Sequence, residues 1–456
     1  GGQPQWLMQT DLEGMALTLP APLNKAATSK VALRVESQLT AESLRPKSKV
    51  QQDQIKVAFG KQVSVMYVRD VSGPRTRVVR GAMTVGNVSD AVARDTGVTL
   101  ALQLPMVDLD AWNEVLSQAM GTSLVRVKSK ASSIGIEASG ESAQDYLPSV
   151  LSIKADQLKA SNRLVHKVQA TGSRTGDLWR FNVSADELNG AIEVRPPSGN
   201  TPAQLYARLA YLVIPPSMVQ DVENLLSEEP SSIPALDIVV QDLTLKNKKL
   251  GRLEIEAINR TSTQTRREWR LNKFNATMPE ATLTASGNWS ADGKRTRRTQ
   301  LKFRLDIKDA GQLLTRLGTP DALKDGVGHL EGQVSWLGSP ITPDYPSMSG
   351  QMNLNVEKGR FLKAEPGAAR LLGVLNLQAL PRRFTLDFDD VFSDGFAFDF
   401  VRGDVRIEGG IANTNNFQMK GVVAGALIEG HADLANESQD LKVVVVPEIN
   451  AGTASL

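Results

Sequence analysis

The three histidines are the side chains in this sequence best suited to metal or acid–base chemistry. They stand at His166, His329 and His431, far apart in the chain and without the close spacing that paired metal ligands use. The sequence contains no cysteine, which excludes thiolate ligands, cysteine nucleophiles and disulfides. We therefore expect no catalytic residue, no metal site and no cofactor.

Other candidate motifs favour structural interpretations. Gly326 and Gly328 flank His329 but lack the G-x-G-x-x-G spacing of a dinucleotide site, so they indicate a tight entry into a strand. A group of aspartates could suggest calcium ligands or a carboxylate pair, namely Asp387, Asp389, Asp390, Asp394 and Asp399. Because phenylalanines are interspersed with them, the wet face of a strand is the better interpretation.

Composition narrows the class of protein. The 456 residues carry 52 Lys and Arg against 50 Asp and Glu, a balance that gives no support for nucleic-acid binding. Hydrophobic residues are 41% of the chain, whereas aromatic residues are only 5%, which is sparse for the core of a large enzyme. No run of apolar residues is long enough to span a bilayer, and no signal peptide is present. We expect the sequence to be a piece of a longer protein.

Strict alternation of apolar and polar residues dominates the chain. In the segment 301–308 every odd position is apolar and every even position is charged, which is typical of a strand with one dry face and one wet face. The same pattern recurs at 31–36, 55–59, 63–67, 125–128, 253–256, 352–357, 384–388 and 405–408. Turn-forming pairs such as Asp292-Gly293 and Lys358-Gly359 separate the segments. The sequence predicts a mainly-β, antiparallel, meandering sheet.

Short helices are predicted at four places: near 107–120, 201–226, 309–317 and 366–380. An internal repeat is also present, because Ile153 and Leu158 correspond to Ile238 and Leu243 at an offset of 85. The motif Trp-Arg-x-Asn at 179 recurs at 269, an offset of 90. We divide the chain into an N-terminal β segment (1–146), two degenerate β repeats (147–308) and a C-terminal β segment (309–456).

The predicted helices are too few to cover so much sheet. Either a second sheet packs on the first, as in a sandwich or barrel, or one sheet curls into a groove lined by its apolar face. An open groove needs an apolar occupant, and acyl chains suit it because each buried CH₂ contributes about 0.8 kcal/mol. The candidate lining residues are Leu253, Ile255, Leu301, Phe303, Leu305, Leu354, Val356, Val405 and Ile407.

Several stretches resemble the YhdP family of AsmA-like proteins. They include GMALTLPAPLNK at 14–25, GVGHLEGQVSW at 326–336, LPRR at 380–383 and VVVVPEINAG at 443–452. The densest similarity covers 300–456. The resemblance implies an elongated, twisted β-sheet forming a hydrophobic groove that carries phospholipids toward the outer membrane. It further implies a periplasmic location, with an inner-membrane anchor and membrane contacts made by segments outside this sequence. It supplies no catalytic residues.

The basic run 294–298 remains to be assigned. An Asp-Gly hairpin with solvated flanks explains it best, and contact with phospholipid head groups or another envelope protein is the alternative. Nucleic acid is disfavoured because stacking aromatic residues are missing nearby. Two other functions stay open. A scaffolding β-protein could assist outer-membrane biogenesis through protein contacts. A carbohydrate-active or adhesive repeat protein would need exposed aromatic platforms and a carboxylate pair, and an aromatic content of 5% argues against it.

Overall fold

Two compact units make up the chain, Gly1–Ser198 (unit 1) and Gly199–Leu456 (unit 2). A computed structural model describes residues 5–86, 95–120, 145–160, 163–198, 201–215, 233–263, 266–291, 297–340, 343–362, 396–421 and 424–447.

Unit 1 is a sheet of ten strands with one helix. The strands are β1 (Gln5–Thr10), β2 (Leu33–Leu39), β3 (Gln52–Phe59), β4 (Val63–Asp70), β5 (Arg77–Gly86), β6 (Gly97–Asp108), β7 (Val150–Ala160), β8 (Arg163–Thr175), β9 (Leu178–Ser184) and β10 (Leu188–Arg195). Each strand pairs with its neighbours in sequence. Helix α1 (Leu109–Met120) follows β6.

Unit 2 is a sheet of twelve strands, also paired in sequence order, with one helix. The strands are β11 (Gln204–Ile214), β12 (Ala235–Leu245), β13 (Lys248–Thr263), β14 (Arg266–Thr277), β15 (Ala281–Ala291), β16 (Arg297–Ile307), β17 (Leu323–Leu337), β18 (Ser349–Phe361), β19 (Phe396–Glu408), β20 (Ile411–Gly421), β21 (Ala424–Asp433) and β22 (Ser438–Pro447). Helix α2 (Ala310–Leu317) follows β16.

The mainly-β, curled and unclosed fold predicted from the sequence is confirmed. The expectation of purely antiparallel pairing needs correction, because three pairs are parallel: β5 with β6, β6 with β7, and β11 with β12. Long connections precede β6, β7 and β12 and return the chain to the end of the sheet where the preceding strand began, which a short hairpin cannot do.

The helix predictions had mixed outcomes. The structure has helices at Leu109–Met120 and Ala310–Leu317, near two of the predicted positions. The helix expected over 201–212 is wrong, because Gln204–Ile214 is strand β11, paired with β12 along its length. The pieces expected at 218–226 and 366–380 lie outside the described residues. No helix in the described ranges is both long and apolar enough to cross a membrane.

The internal repeat corresponds to matching strands. Strands β7 and β12 are each 11 residues long, and their buried positions nearly coincide. Each pairs in parallel with the strand before it and antiparallel with the strand after it. The two Trp-Arg-x-Asn motifs fall in β9 and β14, the third strand of each copy. The division into three segments at 146 and 308 stays a prediction.

Candidate functional site

One line of apolar side chains crosses eight neighbouring strands of unit 2. Residues directly opposite one another in a β-ladder face the same side of the sheet. The register therefore aligns on one face a middle row of Ile238, Ile255, Phe274, Ala285, Phe303, Gly332, Met352 and Val405. All eight are partly exposed and none is buried. At about 4.8 Å per strand the row is about 34 Å long along the sheet.

Helix α2 covers the same face on one side of this row. Asp309 caps the helix by accepting a hydrogen bond from the Gln312 amide (2.9 Å), and Gly318 ends it at φ 99°. Its Ala310 and Leu313 pack into a buried cluster contributed by β15 through β20. The other buried members are Met278, in the turn between β14 and β15, and the strand residues Ala281, Ile307, Val356, Phe398, Val401 and Met419.

An ion pair fixes α2 to the sheet. The Arg316 guanidinium binds both oxygens of Glu280, one of them at 3.1 Å, and also donates to the Lys249 carbonyl at 3.0 Å. Glu280 is 4% exposed. The Lys248 ammonium donates to the Leu317 carbonyl. Strands β13 and β17 are not neighbours, yet both contact α2, which is only about 12 Å long. The sheet therefore curls around α2.

Tryptophans cover the face on the other side of the middle row. Trp269 lies opposite Trp289, and Trp336 lies two strands further on across Thr299. The three indoles are 7%, 0% and 3% exposed. Trp269 donates to the Pro234 carbonyl (3.1 Å) and Trp336 to the Ser339 carbonyl (2.7 Å). The apolar face of unit 2 is thus closed on both sides and partly open along its middle.

The structure places all nine predicted lining residues on this one face. Ile255, Phe303 and Val405 belong to the middle row. The adjacent rows on the same face hold Leu253, Leu301, Leu305, Leu354, Val356 and Ile407. Leu253, Val356 and Ile407 are 8%, 7% and 2% exposed, so they are covered by protein, whereas the other six are partly exposed.

A cavity of about 1370 Å³ is lined by strands β14 to β21. Its lining residues come from both faces of the sheet: Phe303, Met352 and Val405 belong to the middle row, whereas the polar residues next to middle-row positions in sequence project from the opposite face. These polar residues include Lys273, Lys302, Arg304, Glu331, Gln333, Asn353, Asp404 and Arg406. Sequence reasoning selected only the apolar members. The alternation itself was the available signal for the polar ones, because each flanks a middle-row residue in sequence.

Cross-strand pairs join several of these polar side chains. Arg304 bonds to Asp306 (2.8 Å) and to Glu331, which hold the pKa of the guanidinium above its usual value. Asp404 accepts from Asn353 (2.8 Å) and Asn416 (2.7 Å), which hold the pKa of its carboxyl below its usual range. The carboxylate is therefore ionised and fixed at neutral pH, with no sign of a group prepared for proton transfer.

Unit 1 carries a second middle row, which sequence reasoning did not select. The register aligns Met8, Val35, Val57, Val65, Met83, Leu100, Leu151, Gly172, Phe181 and Ile192 across all ten strands. Eight of the ten are partly exposed, Met8 is 46% exposed, and Gly172 is buried. The row is about 43 Å long along the sheet.

A polar cluster lies at one end of the same face in unit 1. Arg69 and Asp53 are opposite each other in the register and form a two-bonded ion pair, with Nε to Oδ1 at 3.0 Å. Asp53 is the main cause that raises the pKa of Arg69, and Tyr146 adds a further hydrogen bond. Tyr67 donates to the Tyr146 carbonyl (3.0 Å), and burial raises the pKa of Tyr67 to about 12.

At the opposite end of unit 1, the loop after β1 reaches α1. The Trp112 indole donates to the Ala21 carbonyl (3.1 Å), a contact between residues 91 positions apart. Within this loop Lys25 is 5% exposed and donates to the carbonyls of Met15 (2.8 Å) and Ala26 (3.0 Å). Asp108 caps α1 through the Ala111 amide (2.9 Å), and that bond is the main cause that lowers the pKa of its carboxyl.

The remaining candidates from the sequence are dispersed. His166 Nδ1 lies 2.5 Å from Glu187 Oε1, whereas His329 and His431 lie on β17 and β21. Among the described residues, no three metal-ligating side chains are grouped. Of the aspartate group, only Asp399 is described, exposed on β19; of the basic run, Arg297 and Arg298 begin β16. The other members lie outside the described residues.

The fold and this face define a mainly-β protein whose curled sheets each keep an apolar strip partly open. A family model described as YhdP protein matches residues 3–456, so the chain belongs to the YhdP family, and the resemblance noted in the sequence is confirmed.

A curated relative is similar over most of the chain. It is the intermembrane phospholipid transporter YhdP of Escherichia coli (strain K12), 23% identical over 334 residues that cover 71% of this chain. The match spans 25% of the relative, so the chain corresponds to about a quarter of that protein's length. No solved structure matches the chain.

Proposed function

We propose that this chain is part of a bridge-like lipid transfer protein and that the two middle rows hold the acyl chains of phospholipids in transit. The observation that carries the proposal is the line of mostly partly exposed apolar residues that crosses ten strands of unit 1 and eight strands of unit 2. Soluble proteins rarely leave a long apolar strip uncovered unless a ligand or partner occupies it. The printed function of the relative, intermembrane phospholipid transport, agrees with this occupant.

Dimensions support lipids as the cargo. The hydrocarbon core of a bilayer is about 30 Å thick, so one layer of acyl chains is about 15 Å. Rows of about 34 and 43 Å along the sheet are each more than twice that length. Successive lipids could therefore lie along one row, and each CH₂ removed from water would contribute about 0.8 kcal/mol.

The uniform apolar character of the middle rows favours movement along them. The middle rows contain aliphatic and aromatic side chains of similar polarity from strand to strand, with no charged member. A lipid sliding by one strand would exchange one apolar neighbour for another at little cost in free energy. We place this activity in the periplasm, with phospholipids moving toward the outer membrane and the inner-membrane anchor supplied by segments outside this sequence.

Scaffolding through protein contacts is the alternative function. It predicts that the apolar faces are covered by protein, as they are beside α2 and the tryptophans. The partial exposure of all eight middle-row residues in unit 2 favours lipid transfer instead.

Native mass spectrometry on this chain, purified from the periplasm without detergent, tests the proposal. We expect phospholipids to remain bound to the wild type and to be lost from Phe303→Glu and Val405→Asp, with the fold retained. Gln300→Glu is the matched control, because Gln300 is exposed on the opposite face of the same strand as Phe303. A lipid-free wild type with a stable fold would contradict the proposal and favour scaffolding.

A further inference from the structure

The two ends of the unit 1 sheet differ in charge. Two connections, 40–51 between β2 and β3 and 71–76 between β4 and β5, leave from the same end and are joined by a hydrogen bond from the Val71 amide to the Gln51 carbonyl (2.8 Å). Exposed cations on these connections and at the start of β5 form what we term the basic rim: Arg45, Lys47, Lys49, Arg75 and Arg77. Glu42 lies on the first connection, Asp70 ends β4 beside the second, and Asp95 is exposed just before β6 at the same end.

The cations of the basic rim are not neutralised by ion pairs. Within the described ranges, no carboxylate lies within 4.0 Å of any of the five nitrogen-bearing groups. Asp70 is near Arg77, but its carboxylate mainly accepts from the Ser72 hydroxyl (2.6 Å) and amide (2.9 Å).

Cations at the α1 end of unit 1 behave differently. Lys30 pairs with Glu13 (2.8 Å), Lys159 with Asp108 (3.3 Å) and Lys167 with Asp186 (3.1 Å). Lys61, in the turn between β3 and β4 at this end, has no ion pair among the described residues, but such cations are more numerous at the basic rim. A group of the opposite sign would lower the electrostatic free energy there.

The apolar face changes polarity stepwise toward the basic rim. The middle row is apolar, the next position along β3 and β4 holds Ile55 and Tyr67, and the position after that holds Asp53 and Arg69. Asp53 and Arg69 are 14% and 21% exposed, so this polar pair closes the apolar face just inside the rim. Apolar body, tyrosine, ion pair and the exposed cations of the two connections follow the order in which an amphipathic ligand changes from hydrocarbon to charged group. Arg77 lies opposite Asp70 and therefore starts on the other side of the sheet.

We propose that the basic rim binds the phosphate groups of phospholipids whose acyl chains lie on the middle row of unit 1, and so favours lipids with net negative head groups. The inference rests on the proposed function and adds the head-group class to it. Arginine and lysine are the side chains proteins use for phosphate, and arginine can bind two of its oxygens at once. A zwitterionic head group gains less at this rim, because its own ammonium group is repelled by the five cations.

A competition between two head groups tests the proposal. Lipid-free chain is incubated with vesicles of equal phosphatidylglycerol and phosphatidylcholine of matched acyl chains, repurified, and its bound lipids are counted by mass spectrometry. We expect the wild type to be enriched in phosphatidylglycerol. In a rim variant with R45Q, K47Q, K49Q, R75Q and R77Q, the phosphatidylglycerol to phosphatidylcholine ratio should fall by about fivefold or more.

A control variant removes the same charge elsewhere in unit 1. It carries K30Q, K56Q, K61Q, K154Q and K167Q, all at exposed positions away from the rim. We expect its ratio to stay within about twofold of the wild type, since surface charges beyond a Debye length of about 8–10 Å are largely screened. An equal fall in both variants would overturn the proposal, because net charge alone would then explain the preference.

Further experiments distinguish lipid phosphate from soluble phosphate. They also distinguish failure of the head-group proposal from failure of the proposed function. Excess soluble glycerol phosphate should leave bound lipid in place, since it lacks the acyl chains. If the rim variant stops floating with anionic vesicles but keeps its bound-lipid ratio, the rim docks on membranes and the proposal is overturned. Bound lipid with an unchanged ratio overturns only this inference, whereas a wild type that takes up no lipid overturns the proposed function with it.

Discussion

Units 1 and 2 each have a middle row of their own. They differ in which residues close the apolar face on either side of that row. In both, apolar side chains in register cross the strands and remain partly exposed. Unit 2 closes its face with α2, held by Glu280 and Arg316, and with three tryptophans. Unit 1 has the Asp53–Arg69 pair at one end and the contact between α1 and the loop after β1 at the other.

The difference separates two roles for apolar residues on one face. Side chains near the covers are buried among protein atoms, so they stabilise the fold. Side chains of the middle rows are mostly only partly buried, although Phe303, Met352 and Val405 also pack against the cluster around Trp336. We propose that their exposed atoms contact the ligand. If this distinction is right, substitutions at the covers will affect stability more than substitutions in the middle rows.

The largest effect should follow from Trp289→Ala. Removing a fully buried indole leaves a cavity and should lower the free energy of unfolding by about 3–5 kcal/mol. Phe303→Ala, in the partly exposed middle row, should cost about 1–2 kcal/mol because less area is returned to water. Urea titration, with hydrogen exchange to localise the change to unit 2, measures both. Equal losses would show that the middle row is as closely packed as the covers.

A smaller loss of stability should follow from breaking the ion pair at one side of the apolar face in each unit, Glu280–Arg316 in unit 2 and Asp53–Arg69 in unit 1. Glu280→Gln removes the charge that Arg316 faces at a site where the carboxylate is 4% exposed, and should cost about 2–4 kcal/mol. Asp53→Asn should cost about 1–2 kcal/mol, since its pair is more accessible to water and Arg69 keeps the Tyr146 contact. Thermal unfolding of the two variants measures the order. A greater loss for Asp53→Asn would contradict the comparison.

The smallest effect is the pH dependence that Tyr67 contributes to unit 1. Burial raises the pKa of Tyr67 from about 10 in the unfolded chain to about 12, so the neutral phenol is favoured in the folded state. Its stabilising contribution is complete below pH 10 and is lost as pH rises through 12. Hydrogen exchange of β3 and β4 between pH 9 and 11, compared with Tyr67→Phe, measures it. The same pH dependence in Tyr67→Phe would exclude Tyr67 as the source.

Local pattern was enough to predict much of the fold. The alternation at 301–308 gave both the strand β16 and the side that each residue faces, because side-chain direction in a strand has a period of two. The helix predicted near 309–317 corresponds to α2, which Asp309 caps and Gly318 ends, for similarly local reasons. These features depend only on residues close in sequence.

The errors came from long-range pairing. Thr201-Pro202 and the following Ala and Leu residues favour a helix, but Gln204–Ile214 pairs in parallel with β12 over its whole length, which overrides local propensity. The unit 1 middle row was missed because its members include Met83, Gly172 and Phe181, whose alignment depends on register across parallel pairs. The burial of individual apolar residues also depends on whether α2 or the tryptophans cover them. The alternation within a strand carries no information about that covering.

The most direct test of the central claim is lipid photo-crosslinking in the periplasm. A photoreactive amino acid is placed at Val57 and at Phe303, one in each middle row, and at Lys56 and Gln300 on the opposite faces of the same strands. The account predicts phospholipid adducts at Val57 and Phe303 and few or none at Lys56 and Gln300. Equal labelling of both faces, or protein adducts in place of lipid at the middle rows, would contradict it.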